Sequence, residues 1–318
     1  MRFVLSLLLL CSFTVQAAEL PGIPQFIDEM VDEHRFSRDE LRKVFAHAQH
    51  LPAVIEAISR PATIKPWLEY RAAFVNSKRI QLGLEFWNKY LQTLRRAEKK
   101  YGVPQDIIVA VIGVETIYGQ NAGKFLVLDA LTTLAFDYPR RADFFRSELE
   151  HYLLLARDQQ FDLLAIRGSY AGALGIPQFM PSSYRNHAVD FNSNRTIDLL
   201  RENVDAIGSV ANYLRSYGWI RGEPVAVHAQ AGGELPASAA VTPRTLAEWA
   251  AAGIVPGVNF APEKAARLVD FTVEEGKEYW LAFNNFEVIT RYNNSDFYAM
   301  SVFQLAEELK AAHKAGTP

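Results

Sequence analysis

The chain has 318 residues, of which 49% are hydrophobic, and its 33 basic and 36 acidic residues give a formal net charge of -3. A chain of this length and composition can bury a sizeable core, in one large domain or in a few small ones. The charge balance shows no basic excess that would favour nucleic-acid binding and no acidic tail that would indicate disorder.

The N-terminus has the pattern of a secretory signal peptide over residues 1–17. A basic Arg2 precedes an almost wholly apolar run over residues 3–10, and the motif Val15-Gln16-Ala17 predicts cleavage before Ala18. The run is too short to span a membrane, and no later apolar stretch of about 18 residues predicts a transmembrane helix. The only cysteine, Cys11, is a candidate for lipid attachment, but the preceding Leu10 differs from the small residue that lipoprotein signals usually have. We therefore expect soluble export, with lipid anchoring through Cys11 as the alternative.

Helices are predicted for most of the chain up to about residue 217. Residues 25–60 have a helical pattern, and a long helix is predicted over 77–101. Gly102 ends that helix, and Pro104 begins the next one. Further helices are predicted over 129–135, 141–157 and 204–217.

The segment 168–183 interrupts this helical pattern. Its glycine and proline residues break any long helix, while apolar residues such as Ile176 and Phe179 indicate that part of it is buried. We expect a structured loop with short helical turns, a kind of segment that often carries function.

Residues 220–288 alternate between apolar and polar side chains, as strands do. Strands are predicted over 224–230, 268–273 and 279–283, with an alanine-rich helix over 245–252 and a return to helix at 296–313. The predicted fold class is α+β and mainly α-helical. The predicted domains are a helical region over 18–219, a small α/β insertion over 220–288, and a C-terminal segment over 289–318 that returns to the core.

One carboxyl group has an unusual position within the predicted helices. Glu115 follows Ile112, Val111 and Ile108 by three, four and seven residues, so these side chains share one helix face. Burial on an apolar face and the negative end of the helix dipole both raise the pKa of a carboxyl group. A protonated carboxyl group near neutral pH is what cleavage of a glycosidic bond requires, because the leaving oxygen must receive a proton. The alternative is an ordinary glutamate at the edge of the apolar face that reaches solvent.

Four motifs resemble the lytic murein transglycosylase B family, and they occur in the family's order. They are GVETIYG at 113–119, RGSYAGALGIPQFMPSSY at 167–184, VDAIGSVANYL at 204–214 and TRYNNSDFY at 290–298. The resemblance extends from about residue 23 to residue 310. It implies a lysozyme-like catalytic core with an N-terminal helical region and a small β-containing domain. It further implies a periplasmic enzyme that acts on peptidoglycan glycan strands without a required cofactor, and that has cell-wall synthesis proteins as candidate partners.

The resemblance also assigns residues to the reaction. Glu115 matches the single catalytic carboxyl group, which acts first as general acid and then as base. The cut is at the β-1,4 bond between N-acetylmuramic acid and N-acetylglucosamine, and it leaves 1,6-anhydromuramic acid ends. Asp129 and Asp137 lie outside the matched cleft motifs, and Ile176-Pro177 departs from the aromatic residue and glycine of some members. The residues that match the substrate cleft are Tyr70, Ser169, Gln178, Phe179, Tyr213, Tyr292, Asn293 and Tyr298.

A loop that begins at Asp190 has the spacing of a calcium-binding EF-hand. Positions 1, 3, 5, 7 and 9 are Asp190, Asn192, Asn194, Thr196 and Asp198. Arg195 replaces the glycine of the sharp turn, and Arg201 replaces the bidentate glutamate. Related proteins can have a calcium loop here that a later acidic residue closes, which would be Asp205. The alternative is a turn rich in Asp and Asn that caps the next helix.

Two other functions remain compatible with these residues. One is a muramidase, which would cut the same bond but add water, and the other is a peptidoglycan-binding protein without activity. The sequence lacks a Gly-x-Ser-x-Gly nucleophile motif, a His-Glu-x-x-His metal motif and a glycine-rich phosphate loop. A binding module does not need a buried carboxyl group, so Glu115 favours a transglycosylase or a muramidase over an inactive binding protein.

Overall fold

A computed structural model describes residues 20–60, 65–232 and 242–316. The predicted signal peptide, its cleavage site and Cys11 lie outside these residues. In the described ranges, no helix is both long enough and apolar enough to cross a membrane. In chain order, the elements are α1 (Ile23–His34), α2 (Arg38–His47), α3 (Pro52–Ser59), α4 (Trp67–Phe74), α5 (Ser77–Lys89), α6 (Leu91–Tyr101), α7 (Gln105–Thr116), β1 (Phe125–Leu126), α8 (Val127–Asp137), a 3-10 turn (Pro139–Arg141), α9 (Ala142–Gln159), β2 (Arg167–Gly168), α10 (Pro181–His187), α11 (Asn203–Ser216), β3 (Ala226–Ala231), β4 (Arg244–Thr245), α12 (Leu246–Ala251), β5 (Ile254–Pro256), β6 (Ala265–Val273), β7 (Gly276–Ala282), α13 (Asn284–Thr290) and α14 (Asp296–Ala315).

The described residues form two compact units, one within Met1–Arg60 and Gly123–Ala173, and one within Pro61–Ala122 and Leu174–Pro318. The predicted domain boundaries at residues 219/220 and 288/289 stay predictions. The predicted fold class, α+β and mainly helical, is confirmed.

The first unit packs its helices around α8 and α9. Phe26 of α1 contacts Phe45 of α2 and Phe136 of α8 edge to face, with ring centroids 6.0 and 5.8 Å apart. Asp129 of α8 accepts a hydrogen bond of 2.9 Å from the backbone N–H of Gln49. This carboxylate therefore stabilises the chain between α2 and α3.

The second unit is built around α7, which packs against α5, α6, α11 and α14. Ile108, Val111 and Ile112 are fully buried, and so are residues on the other side of the helix, such as Val109 and Ala110. The sequence predicted one apolar face for this helix. In the structure nearly all sides of α7 are buried, as expected for a helix inside a core. This central helix carries Glu115.

The predicted long helix over 77–101 is wrong, because the chain bends at Tyr90 between α5 and α6. Tyr90 leaves helical geometry with φ -109° and ψ 20°. Its ring lies 4.8 Å from that of Phe86, and its hydroxyl accepts a hydrogen bond from Asn203. Both halves pack on α7, but their other neighbours differ, since α5 packs on α14 and α6 packs on α11.

The second unit also contains an antiparallel sheet with the strand order β4-β6-β7-β3-β5. Three of its strands and α12 correspond to the predicted elements of 220–288, while the short β4 and β5 were not predicted. The buried indole of Trp249 fixes α12 to the sheet, since its Nε1 donates to the carbonyl of Ala266 at 2.8 Å. Arg267 and Ala282 are partners in the β6–β7 register.

Candidate active site

Glu115 is the penultimate residue of α7, where the helix ends abruptly. Ile117 and Tyr118 follow it with φ values of 52° and 60°. This left-handed conformation is rare for residues other than glycine, above all for a β-branched residue such as Ile117. Their N–H groups bond to the carbonyls of Gly113 and Ile112, which closes the helix end. Backbone strain of this kind costs about 1–3 kcal/mol per residue and concentrates at functional sites.

The carboxyl group of Glu115 is half-buried and accepts a hydrogen bond from Tyr298. The hydroxyl of Tyr298 lies 2.5 Å from Oε1 of Glu115, and the tyrosine is only 2% exposed. Burial raises the pKa of Glu115 to about 7, while the hydrogen bond from Tyr298 opposes the rise. The predicted rise in pKa is therefore confirmed, with burial as its main cause.

Aromatic rings from three parts of the chain form a cluster beside this carboxyl group. Tyr292 stacks on Tyr298 with ring centroids 6.3 Å apart, and Tyr213 lies 4.8 Å from Tyr292. Phe179 completes the cluster at 5.3 Å from Tyr213. Burial and the negative charge of Glu115 raise the pKa of Tyr298 well above its ordinary value. Tyr298 consequently remains a hydrogen-bond donor near neutral pH.

Two hydroxyl groups of the cluster bond to the backbone. Tyr292 donates to the carbonyl of Pro177 at 2.6 Å, and Tyr213 donates to the carbonyl of Arg291 at 2.7 Å. The preceding carbonyl, that of Ile176, accepts from Thr116 at the end of α7 at 2.8 Å. The Ile176-Pro177 pair thus connects the end of α7 to the aromatic cluster through its backbone carbonyls.

Gln178 lies beside this pair with a left-handed φ of 51°. Its Nε2 donates to the carbonyls of Ala122 and Gly175 at 3.0 and 2.9 Å. Both amide protons are used in this way, so Oε1 is the side-chain atom that can accept a hydrogen bond from a ligand.

Tyr70 and Asn293 complete the predicted residues of this unit. Tyr70 packs on Phe74 and Phe297 at 5.0 and 5.5 Å, and the charge of Glu115 helps burial to raise the pKa of its hydroxyl. Asn293 is exposed in the turn between α13 and α14. The sequence analysis missed Phe297, although it is aromatic and lies inside the motif at 290–298.

Ser169 belongs to the first unit, where its hydroxyl caps a turn. Its Oγ accepts hydrogen bonds from the N–H groups of Ala171 and Ala173 at 3.2 and 3.0 Å. Its role in a substrate cleft stays a prediction.

A buried cation that was not predicted from the sequence stabilises the end of α7. Arg79 of α5 donates to the carbonyl of Gly113, and its own carbonyl accepts from the hydroxyl of Tyr118 at 2.9 Å. A positive charge at the C-terminal end of a helix stabilises that end. An arginine within a mixed helical pattern gives no sequence signal for such a role.

The family model described as Transglycosylase SLT domain matches residues 19–307. The chain belongs to this family. Membrane-bound lytic murein transglycosylase B of Escherichia coli (strain K12) is 44% identical to this SLT-family chain over 307 residues, covering 93% of this chain and 84% of that protein.

Solved structures of related proteins agree with this membership. The soluble lytic transglycosylase SltB1 from Pseudomonas aeruginosa is 46% identical with a TM-score of 0.87, covering 92% of this chain and all of that one (100%). The Escherichia coli lytic transglycosylase Slt35, solved in complex with calcium, is 44% identical with a TM-score of 0.87, covering 93% of this chain and 95% of that one. The lysozyme-like fold and the enzyme class expected from the motifs are confirmed.

The loop at Asp190 of this SLT-family chain closes on itself through carboxylate–amide bonds. Asp190 accepts hydrogen bonds from the N–H groups of Ser193, Asn194 and Arg195 at 2.7, 3.1 and 2.7 Å. Arg195 adopts φ 74°, the left-handed conformation that glycine would provide at this position. The departure from the motif at Arg195 therefore does not prevent the sharp turn.

Two acidic residues near the end of this loop, Asp205 and Glu202, differ in burial and in hydrogen-bond partners. Asp205 is fully buried, and its two oxygens accept from the N–H groups of Phe191 and Asp198 at 2.8 and 3.0 Å. Glu202, which the sequence analysis missed, accepts hydrogen bonds from the amides of Asn192 and Asn194. In the described ranges, no group of three His, Cys, Asp or Glu side chains has the arrangement of a metal site.

Proposed function

We propose that this chain is a lytic transglycosylase of peptidoglycan. It cleaves the β-1,4 bond between N-acetylmuramic acid and N-acetylglucosamine and leaves 1,6-anhydromuramic acid ends. The observation that carries the proposal is the carboxyl group of Glu115, whose pKa of about 7 and hydrogen bond from Tyr298 suit one group that donates and later accepts a proton.

The first step is proton transfer from Glu115 to the glycosidic oxygen. Oε1 accepts the hydrogen bond from Tyr298, so Oε2 is the oxygen that carries the proton. The bond between the oxygen and C1 of the muramic acid breaks, and the acetamido group of the same sugar stabilises the positive carbon. The new carboxylate keeps the hydrogen bond from Tyr298, which stabilises the charge as it forms.

The second step closes the 1,6-anhydro ring. The Glu115 carboxylate removes the proton of the 6-hydroxyl group, and that oxygen attacks C1, so no water is consumed. An internal hydroxyl held in place outcompetes water, because oriented intramolecular attack has effective molarities of about 10^5 M or more. The aromatic cluster and Gln178 are proposed to bind the sugars, together with Tyr70, Ser169 and Asn293.

The acid–base pair of ordinary glycosidases needs a second carboxylate close to the first. Burial raises the pKa of Glu115 and Tyr298 opposes the rise, and among the residues that the structure describes no other carboxylate contributes to the shift. Asp129 and Asp137 are bonded within the first unit, Asp129 to the N–H of Gln49 and Asp137 to His50 at 2.8 Å. Glu115 alone therefore performs both transfers.

Digestion of purified peptidoglycan in water enriched in 18O tests this reaction. Mass spectrometry should detect anhydromuramic ends that contain no 18O and are lighter by one water than hydrolysis products. Reducing ends labelled with 18O would show a muramidase, and the absence of products in every preparation would show a binding protein. Glu115→Gln is the matched control, since it keeps the shape of the side chain and should lose at least about a hundredfold in rate.

We further propose that a calcium ion stabilises the Asp190 loop. The oxygen donors of Asp190, Asn192, Asn194 and Asp198, with the carbonyl of Thr196, are of the kind that calcium prefers. Glu202 is proposed as the closing carboxylate, because it accepts hydrogen bonds from the amides of Asn192 and Asn194 within the loop, whereas the predicted Asp205 is fully buried. The ion has no role in the chemistry.

We also propose that the chain is exported to the periplasm, where its substrate lies. The predicted signal over residues 1–17 supports export, and a relative named as membrane-bound makes anchoring through Cys11 the alternative. Proteins of cell-wall synthesis are the proposed partners.

A further inference from the structure

Arg267 of β6 connects the sheet of the second unit to two helices. Its Nε donates to Oε1 of Glu287 in α13 at 2.8 Å. Its Nη1 and Nη2 donate to the two carboxylate oxygens of Asp296 in α14 at 2.9 and 2.7 Å. The side chain is only 18% exposed. The side chains of Glu287 and Asp296 are 42% and 40% exposed. The bidentate geometry nevertheless fixes the orientation of the guanidinium group and of the Asp296 carboxylate more closely than a single hydrogen bond would.

Asp296, the partner of Arg267 in α14, lies two residues before Tyr298, which bonds to Glu115. Asp296 is the first residue of α14, and Ser295 caps the helix by accepting from the N–H of Tyr298 at 3.3 Å. Residues two positions apart point in directions about 200° apart around a helix. Asp296 therefore faces Arg267 while Tyr298 faces Glu115, so the rotation of one first turn sets both contacts.

The position of the Tyr298 hydroxyl is sensitive to this rotation. The hydroxyl lies at the far end of a long side chain, so a rotation of the helix start by about 10° would move it by ~1 Å. A displacement of about 1 Å in an active site can reduce the rate by about a hundredfold. The hydrogen bond to Glu115 consequently depends on what holds the first turn of α14.

We propose that Arg267 is a positioning residue, which holds the first turn of α14 so that the hydroxyl of Tyr298 stays on Oε1 of Glu115. The small sheet thereby contributes to catalysis although it supplies no reacting group. The effect on catalysis rests on the proposed function, whereas the effect on the Tyr298–Glu115 hydrogen bond does not.

The expected effect on pH dependence has a definite sign. The negative charge of Glu115 helps to raise the pKa of four tyrosines, which are Tyr298 on α14, Tyr292 before it, Tyr213 on α11 and Tyr70 on α4. Of these, Tyr298 is the one whose hydrogen bond lowers the pKa of Glu115. Loss of Arg267 should loosen that bond and therefore raise the pKa of Glu115 further.

A double-mutant cycle with Tyr298 separates positioning from ordinary stabilisation. Arg267→Gln should lower kcat on soluble glycan strands by about tenfold or more and move the basic limb of the pH profile upward. In the Tyr298→Phe background, Arg267→Gln should lower kcat by less than about twofold, because the hydrogen bond between Tyr298 and Glu115 is already absent. Arg267→Lys should rescue only part of the loss, since an ammonium group cannot form the fork.

A control variant is available on the same hairpin. Lys277 of β7 pairs with Asp270 of β6 at 2.8 Å and reaches neither α13 nor α14 through that pair. Lys277→Met should leave kcat and the pH profile unchanged. An equal loss of kcat from Arg267→Gln in both backgrounds would overturn the proposal.

A measurement that needs no activity completes the test. In protein with 13C-labelled glutamate carboxyl groups, the Glu115 signal is identified by its absence in Glu115→Gln, and its pKa is followed by NMR. The pKa should be higher in Arg267→Gln than in the wild type, and equal in Tyr298→Phe and the double variant. An unchanged pKa in Arg267→Gln would refute the positioning role. Should Arg267→Gln not fold, Asp296→Asn breaks the same fork and must give the same rise. Lack of anhydro products from the wild type would refute the proposed function alone.

Discussion

The hydroxyl of Tyr298 lies 2.5 Å from Oε1 of Glu115, although the two residues are 183 positions apart in the chain. This bond joins the last turn of α7 to the first turn of α14 at the centre of the second unit. It acts on the pKa of Glu115 in the direction opposite to burial, since it favours the ionised form. The balance of the two effects leaves a pKa of about 7, which suits a group that must give and then take a proton.

Removal of the Tyr298 hydroxyl should shift the pH profile. Glu115 must be protonated for the first step, so wild-type activity should fall as the pH rises through about 7. Tyr298→Phe removes a bond to the ionised form, raises the pKa further, and should move the basic limb of kcat to higher pH. The rate at the optimum should fall by about tenfold to a hundredfold, because the forming carboxylate loses a donor.

Tyr213→Phe is the control for this measurement. Its hydroxyl donates to the backbone carbonyl of Arg291 and not to Glu115. The basic limb should stay in place in this variant, whatever happens to the rate. A basic limb that also stays in place in Tyr298→Phe would contradict the assignment of Glu115 as the titrating acid.

Glu115 should also make the stability of the protein depend on pH. Its pKa rises from 4.5 to about 7 on folding, so the folded state binds more protons than the unfolded state between these pH values. Stability contributed by this group is then lost as the pH rises, by up to about 3 kcal/mol in free energy of unfolding. Glu115→Gln has no such loss and should be more stable than the wild type at pH 8.5.

Urea denaturation of both proteins at pH 4 and pH 8.5 measures this difference. Burial also raises the pKa values of Asp106 and Asp129. Both residues are present in both proteins, so their contributions to stability cancel in the comparison. The stability advantage of Glu115→Gln should be larger at pH 8.5 than at pH 4. Equal advantages at both pH values would mean that folding does not raise the pKa of Glu115.

Calcium should raise the melting temperature of the protein. An ion that binds only the folded state stabilises it as its concentration passes the dissociation constant. Asp190→Ala should abolish the rise, and Glu202→Gln should require more calcium for the same rise, while Asp198→Asn tests a second carboxylate. No rise in millimolar calcium would mean that the hydrogen bonds of Asp190 hold the loop by themselves.

Asp205→Asn distinguishes the buried carboxylate from the metal ligands. Asp205 accepts two backbone N–H groups in the core, so its loss should destabilise the protein in the absence of calcium as well, by about 1–3 kcal/mol. A stability loss that appears only with calcium present would instead make Asp205 a ligand, as the sequence spacing first indicated.

Export should produce a mature protein that begins at Ala18. N-terminal sequencing of protein from the native host, with membrane and soluble fractions compared, checks the cleavage site. Cys11 as a lipid-modified first residue in the membrane fraction would show anchoring instead. Cys11→Ser is the control, since it should change nothing if the signal is cleaved after residue 17.

Some of the site could be predicted because its chemistry depends on local pattern. Glu115 on an apolar helix face requires only helical periodicity, and burial then raises its pKa. Family motifs grouped Phe179, Tyr213 and Tyr292. They did not show that the hydroxyls of both tyrosines bond to backbone carbonyls. The bend at Tyr90 could not be predicted, since the residue has no helix-breaking side chain and the bend arises from packing on two different helices.

The sequence by itself determined the mainly helical fold class, three of the five strands of the small sheet and the position of Glu115 on an apolar helix face, because periodicity and motif spacing are local properties of the chain. Only the tertiary structure decided that Tyr298 bonds to Glu115, that Arg267 holds the start of α14, and that Glu202 and Asp205 have different surroundings in the loop. These contacts join residues from separate elements, and their geometry depends on how helices pack in the core. No local pattern encodes that geometry.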